Sequence, residues 1–254
     1  MLGDTGLFAI ALLLLLTNVV NSTGEFLLSH AVRLHAIALV PDTAHSQLVG
    51  SVHDTLVAAE RREIVKQFYS SFFMWVNVLS FVIQLLLVSR IINKIGVRRA
   101  LFVLPVIAFG AYASIALVGG LLVTRLAKTA ENGVDYSLQN TVWQSLFLRT
   151  DRATKYKAKA TIDTFFVRAG DALSAIIVAL GIHKLHFGAS DLAFVNLGLI
   201  FVWLGVAVWV SHAHRWMGKV VHERATMRRP TGLIYSGEWS SNRMRRGGVS
   251  TSSS

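Results

Sequence analysis

Residues Leu7–Val20 read LFAIALLLLLTNVV, ten apolar residues in a row before Thr17 and Asn18. Such a run needs either a deep core or hydrocarbon around it. A transmembrane helix takes about 20 mostly apolar residues. Extended to His30, this run is long enough, and five further stretches follow. The candidate spans are residues 7–30, 69–92, 100–119, 120–148, 160–183 and 192–211, all approximate, with the fourth the least apolar. The composition agrees. Residues of the set AVILMFWYC make up 53% of the 254, and charged residues only 15%, against about 25% in ordinary soluble domains. Mean hydropathy is +0.52. One soluble core of this size could not hide that much apolar surface. The expected fold class is therefore all-α, a polytopic membrane protein of six transmembrane helices. The first run carries Asp4 where a signal peptide has a basic stretch and lacks a small-residue cleavage site, so it reads as a retained helix.

The net charge is +11. On a polar chain that excess would suggest nucleic acid. Here it falls between the apolar runs, and no nucleic-acid partner is expected. Arg90, Lys94, Arg98 and Arg99 separate spans two and three without an acid. Arg149, Arg152, Lys155, Lys157 and Lys159 oppose only Asp151 between spans four and five. The loops after spans one and five are balanced: Arg33, Arg61 and Arg62 meet Asp42, Asp54, Glu60 and Glu63, and Lys184 meets Asp191. Basic and balanced segments alternate as six spans require. The positive-inside rule then puts both termini in the cytoplasm, in a bacterial-type inner membrane.

Residues 1–213 form the expected transmembrane domain, and residues 214–254 a basic, disordered cytoplasmic tail. Pro41-Asp42-Thr43 breaks the chain after span one. Leu48, Val52, Leu56 and Ala59 then recur at helical spacing, which predicts an amphipathic outer helix over 43–66 leading into span two.

Ionisable groups at membrane depth are costly and mark cavities or partners. Span one carries Asn18 and then Asn21-Ser22-Thr23-Gly24-Glu25, a polar notch suited to a broken helix. Span four carries Arg125, Lys128, Glu131, Asn132, Asp135 and Gln139. At about 100° per residue these share one arc of roughly 120°, as a helix lining a watery path would. Lys128 can pair with Glu131 or Asn132. Span five offers Lys159 with Asp163 and Arg168 with Asp171. The candidate pathway residues are Glu25, Arg125, Lys128, Glu131, Asp135, Gln139, Asp163, Arg168 and Asp171.

There is no Cys, which excludes disulfides and thiolate chemistry. His183/His186 and His212/His214 lack a third ligand, so no metal site is expected. No P-loop, dinucleotide-binding, nucleophile-elbow or zinc-protease motif is present, so neither enzyme nor cofactor is expected.

The loop Ser89–Arg99, with Asn93, Lys94, Gly96, Arg98 and Arg99, resembles the basic loop of major facilitator transporters, Asn93 standing where that motif usually has Asp. Tyr136-Ser137-Leu138, the stretch Lys155–Thr164 and Arg168-Ala169-Gly170-Asp171 resemble a narrower group: the ATP/ADP translocases of plastids and intracellular bacteria, especially their uncharacterised bacterial relatives. The resemblance spans about Leu7 to Ser211 and is specific only in Asp135–Asp171. It implies the second six-helix half of a twelve-helix fold that exchanges nucleotides by alternating access. The chain departs from that pattern. Asp135, Trp143 and Asp171 stand where nucleotide exchangers usually carry Lys, and Gln144 where they have Glu. Acids in place of Lys reverse the field that a polyphosphate needs, although Arg125, Lys128 and Arg168 remain.

The expected function is transport of a small solute, nucleotide exchange being what the resemblance implies, with a carboxylate such as Glu25 a candidate proton carrier. The expected partners are the bilayer, the solute and a second six-helix half, supplied by a homodimer or a separate chain. The alternative is a membrane scaffold or regulatory subunit, or a truncated transporter, that no longer transports.

Overall fold

The computed structural model describes residues 4–43, 51–147 and 162–227. Every regular element among them is helical. In chain order they are α1 (Asp4–Leu39), α2 (Ser51–Ile83), a π-helical turn (Gln84–Val88), α3 (Ser89–Ala100), α4 (Val103–Leu117), α5 (Leu121–Val134), a second π-helical turn (Asp135–Gln139), α6 (Asn140–Phe147), a third (Ile162–Phe166), α7 (Val167–Leu185) and α8 (Ala189–Met227). The chain divides into a bundle, Met1–His214, and a C-terminal unit from Arg215, whose described residues 215–227 are helical.

Four stretches among the described residues are long and apolar enough to cross a bilayer: Phe8–Leu39, Val52–Ala100, Thr164–Leu185 and Ala189–Ser211. Val103–Leu117 is apolar but shorter. The bundle is apolar on the outside too. Leu117 is 79% exposed, Leu122 69% and Phe81 67%. Large side chains presented outward along several helices suit lipid as the solvent.

α1 sits at the centre. It packs on α7, α5 and α2, while α4 lies on α5. Leu28 and Val32 of α1 meet Phe72 and Val76 of α2 in a core closed by Phe68, Tyr69 and Leu121. The turns follow from glycine. Gly96 (φ 78°) breaks the basic stretch within α3, and Gly119 and Gly120 (φ 68° and 83°) reverse the chain between α4 and α5. A Cβ is disfavoured at positive φ, so glycine is the residue that fits these turns.

Several sequence expectations change. α1 is longer than residues 7–30 and unbroken through Asn21–Glu25. The notch does not break the helix because its side chains bond sideways to other helices, leaving the backbone ladder intact. The outer segment, expected as an amphipathic helix over 43–66 leading into span two, is helical from Ser51 and runs on into span two without a break; residues 44–50 lie outside the described set. Arg61 caps α1 from there, donating from Nε to Val40 O (2.8 Å) and from Nη2 to Asp42 (2.8 Å), so a cation meets the negative end of the helix. The basic loop Ser89–Arg99 is mostly helical and turns at Gly96. Span four is not one regular helix, because the π turn at Asp135–Gln139 interrupts it. The last helix continues to Met227, into the segment read as tail.

Candidate functional site

Lys128 is the centre of the polar interior. Its side chain is fully buried, 0% exposed. Nζ lies 2.9 Å from Glu131 Oε2, 2.8 Å from Asn21 Oδ1 and 3.4 Å from Glu25 Oε1. An ammonium has three N–H donors, and all three are engaged. Glu131 is nearly as buried, at 4%, while Glu25 is 37% exposed. Asn132 Nδ2 donates to Glu25 Oε1 at 2.9 Å. The pair anticipated between Lys128 and Glu131 therefore forms, while Asn132 serves Glu25 instead of Lys128. With all three ionised, one cation faces two carboxylates.

Tyr112 of α4 closes the cluster. Its hydroxyl donates to Val20 O at 2.9 Å and lies 3.4 Å from Glu131 Oε1. Asn196 of α8 donates to the same carbonyl at 3.2 Å. These contacts require Gly24. A Cβ there would fall 1.9 Å from Tyr112 Oη and 3.0 Å from Lys128 Nζ. Four helices, α1, α4, α5 and α8, thus converge around one turn of α1.

A second cluster joins α1 to α7. Asp171 Oδ1 accepts from Asn18 Nδ2 and Ser22 Oγ, both at 2.7 Å, and Arg168 Nη1 stands 3.7 Å from Oδ2. Asn18 Nδ2 also reaches Val167 O at 2.7 Å. Thr23 and Ser174 share a hydrogen bond at 2.9 Å. Gly170 permits the approach, since a Cβ there would meet Asn18 Cβ at 2.9 Å and Leu15 O at 3.2 Å. The anticipated Arg168–Asp171 pair is present, but Arg168 is 82% exposed, and the stronger bonds to Asp171 come from α1.

Beyond Glu131 the π turn that follows α5 opens on a cleft of about 350 Å³. Leu14 and Thr17 of α1 form one wall. Asp135, Tyr136, Gln139, Asn140 and Trp143 form the other. The π turn supplies Asp135 and Gln139, and such turns recur at functional positions because they add a residue to one turn and re-aim its side chains.

The expected single polar stripe is divided. Arg125 turns to α2, where Nη2 donates to Ser71 Oγ at 2.7 Å and the guanidinium lies 5.2 Å from the centre of the Phe68 ring. Lys128, Glu131 and Asn132 face α1, and Asp135 and Gln139 face the cleft. The side chain of Asp163, and with it the Lys159–Asp163 pair, lies outside the described residues. Asn93, Lys94, Arg98 and Arg99 are exposed, far along the chain from these clusters, with Gly96 half-buried among them. Among the described residues no group of acids and histidines could hold a metal. Tyr112 and Asn196 were not foreseen as site residues. Each lies in a largely apolar stretch, and sequence alone does not tell which way it faces.

Comparisons with protein-family models, curated proteins and solved structures find no match.

Proposed function

We propose that the chain is a membrane transporter, or one half of one, passing a small solute along α1 and the α5–α6 span by alternating access. One observation carries this reading: a fully buried, three-way paired Lys128 lies one to two helical turns before a cleft that holds an acid, Asp135. Buried charge between apolar helices is expensive, and a cleft beside it is a pathway feature. A bundle whose only task was to hold together would gain more from apolar packing at these positions. In this reading both termini are cytoplasmic, the membrane is a bacterial-type inner membrane, and a second six-helix half, from another copy or another chain, completes the path.

The placement of the cations favours a solute smaller than a nucleotide. Lys128 is enclosed, Arg125 faces α2 and Arg168 stands by Asp171. The residues lining the cleft include no Lys or Arg, and polyphosphate binding relies on cationic donors.

The test is counterflow in proteoliposomes across amines, amino acids, sugars and nucleotides, run beside ligand-dependent melting of the detergent-purified chain. A bound solute raises the melting temperature. Flux of at least one solute that is lost in Asp135→Asn supports transport. A well-folded, monodisperse protein that neither moves nor is stabilised by any of them is a scaffold, and the proposal fails.

A further inference from the structure

Two acceptors in the wall of the 350 Å³ cleft, the Asp135 carboxylate and Gln139 Oε1, lack donors, while Asn140 Oδ1 accepts from Gln144 Nε2 at 3.2 Å. The Asp135 carboxylate makes no hydrogen bond and no ion pair with any described residue, although it is half-buried within the helical bundle. Gln139 is 5% exposed and its Oε1 has no hydrogen-bond partner. The Thr17 hydroxyl commits its proton to Leu13 O at 2.8 Å, so toward the cleft it offers lone pairs. Tyr136 and Trp143 add two aromatic rings to the same wall. Against one carboxylate the lining sets no cationic residue, and the nearest Lys along the helix, Lys128, already holds three acceptors.

Buried acceptors without donors are costly, and an unpaired carboxylate in a span is costlier still. Proteins keep such groups where a ligand satisfies them. Here the missing partner is a donor with positive charge. The aromatic rings fit the same partner, because their faces attract cations. We infer that the cleft takes a small organic cation bearing N–H donors, a primary ammonium or a guanidinium, bound by Asp135 and Gln139 between α1 and the α5–α6 span. This inference rests on the transporter reading and names its class of solute. The volume suits a molecule at the small end of ordinary ligand sites.

The experiment is binding to the purified full-length chain in detergent, read by calorimetry and by melting shift. The probes are putrescine and agmatine as N–H cations, tetramethylammonium as a cation without N–H, sodium, glucose, glutamate and ATP. Putrescine or agmatine should bind, and tetramethylammonium at least tenfold more weakly. Asp135→Asn should raise the amine Kd about tenfold or more, the scale of one lost charge-assisted hydrogen bond. Thr17→Leu keeps the carboxylate and fills the cleft from the opposite wall. It should abolish binding, and it decides the matter if Asp135→Asn does not fold. Equal affinity for tetramethylammonium overturns the inference, as does amine binding that survives Thr17→Leu. Binding of ATP, glucose or glutamate with none of the amines overturns it too, but leaves transport standing. No binding by any probe, together with no flux in the wider solute panel, overturns both.

Discussion

Replacing Lys128 by Met tests whether the central cluster is a tightly coupled charge network. The ammonium is 0% exposed and satisfies Glu131 at 2.9 Å, Asn21 at 2.8 Å and Glu25 at 3.4 Å. Removing one partner of a buried ion pair typically costs about 3–5 kcal/mol, because the other charge is left behind. Glu131, 4% exposed, is that remaining charge. At roughly 2–4 °C per kcal/mol for a chain of this size, the melting temperature should fall by about 6–20 °C. Glu131→Gln should cost less, about 1–2 kcal/mol, since Lys128 keeps Glu25 and Asn21 and the amide still offers an acceptor. The double variant removes both buried charges on α5. Glu25, 37% exposed and bonded to Asn132, then reaches polar surroundings by itself. The double variant should therefore lose less than the sum of the singles, with a coupling of about 2 kcal/mol. The assay is reversible unfolding in mixed micelles, followed by circular dichroism, with heat denaturation alongside. Strict additivity, or a Lys128→Met variant within about 1 kcal/mol of the parent, would refute the assignment of a coupled network.

Gly24→Ala should destabilise the bundle by about 1–3 kcal/mol, the usual scale of overpacking, because its Cβ would lie 1.9 Å from Tyr112 Oη. Adding Tyr112→Phe, which deletes that oxygen, should restore part of the loss in the same melts; no rescue would mean the clash lies elsewhere. Gly170→Ala should loosen α7 from α1 and lower the melting temperature, whereas Gly198→Ala, where a Cβ meets nothing within 4 Å, should be neutral or stabilising by up to about 1 kcal/mol. The two giving the same change would argue against the tight α1–α7 contact. Because the chain has no Cys, single cysteines give clean topology. Asp42→Cys and Arg98→Cys should label with an impermeant maleimide from opposite sides of the membrane, and labelling from one side would sink the alternation of loops.

The helical, membrane-embedded character was legible because it depends on sums. Apolar runs such as Leu7–Leu16 dominate any window that contains them, and the outward-facing Phe81 and Leu117 express the same surplus in space. Pairs three residues apart were legible too. Lys128–Glu131 and Arg168–Asp171 both form, since helix geometry alone brings them together. Contacts between helices were not. Asn18 and Ser22 reach Asp171, some 150 positions away, and Tyr112 reaches Val20. These depend on which faces meet, which local periodicity does not encode. The π turn at Asp135 defeated the single-stripe reading for a related reason. It adds a residue to a turn without any mark in the sequence, and the angular arithmetic of a regular helix stops applying there. The polar notch misled in the opposite direction. Its composition matches a broken helix, but Asn21, Ser22 and Glu25 find partners on neighbouring helices, so α1 has no need to unwind.

The two acids at positions where the resemblance leads one to expect Lys have different surroundings, and the difference separates scaffold from site. Asp171 accepts two hydrogen bonds from α1 and has a guanidinium beside it. Its charge is met inside the protein, and its task is to hold α7 against α1 where Gly170 lets the backbones close. Asp135 sits in the wall of a cleft without a donor. A group satisfied by its own fold has little left to offer a solute, whereas an unsatisfied one inside a helical bundle persists only if something else meets its charge. Acidity at these two positions thus does not describe one inverted binding field. It describes one clasp and one open acceptor, and only the latter bears on the proposed solute.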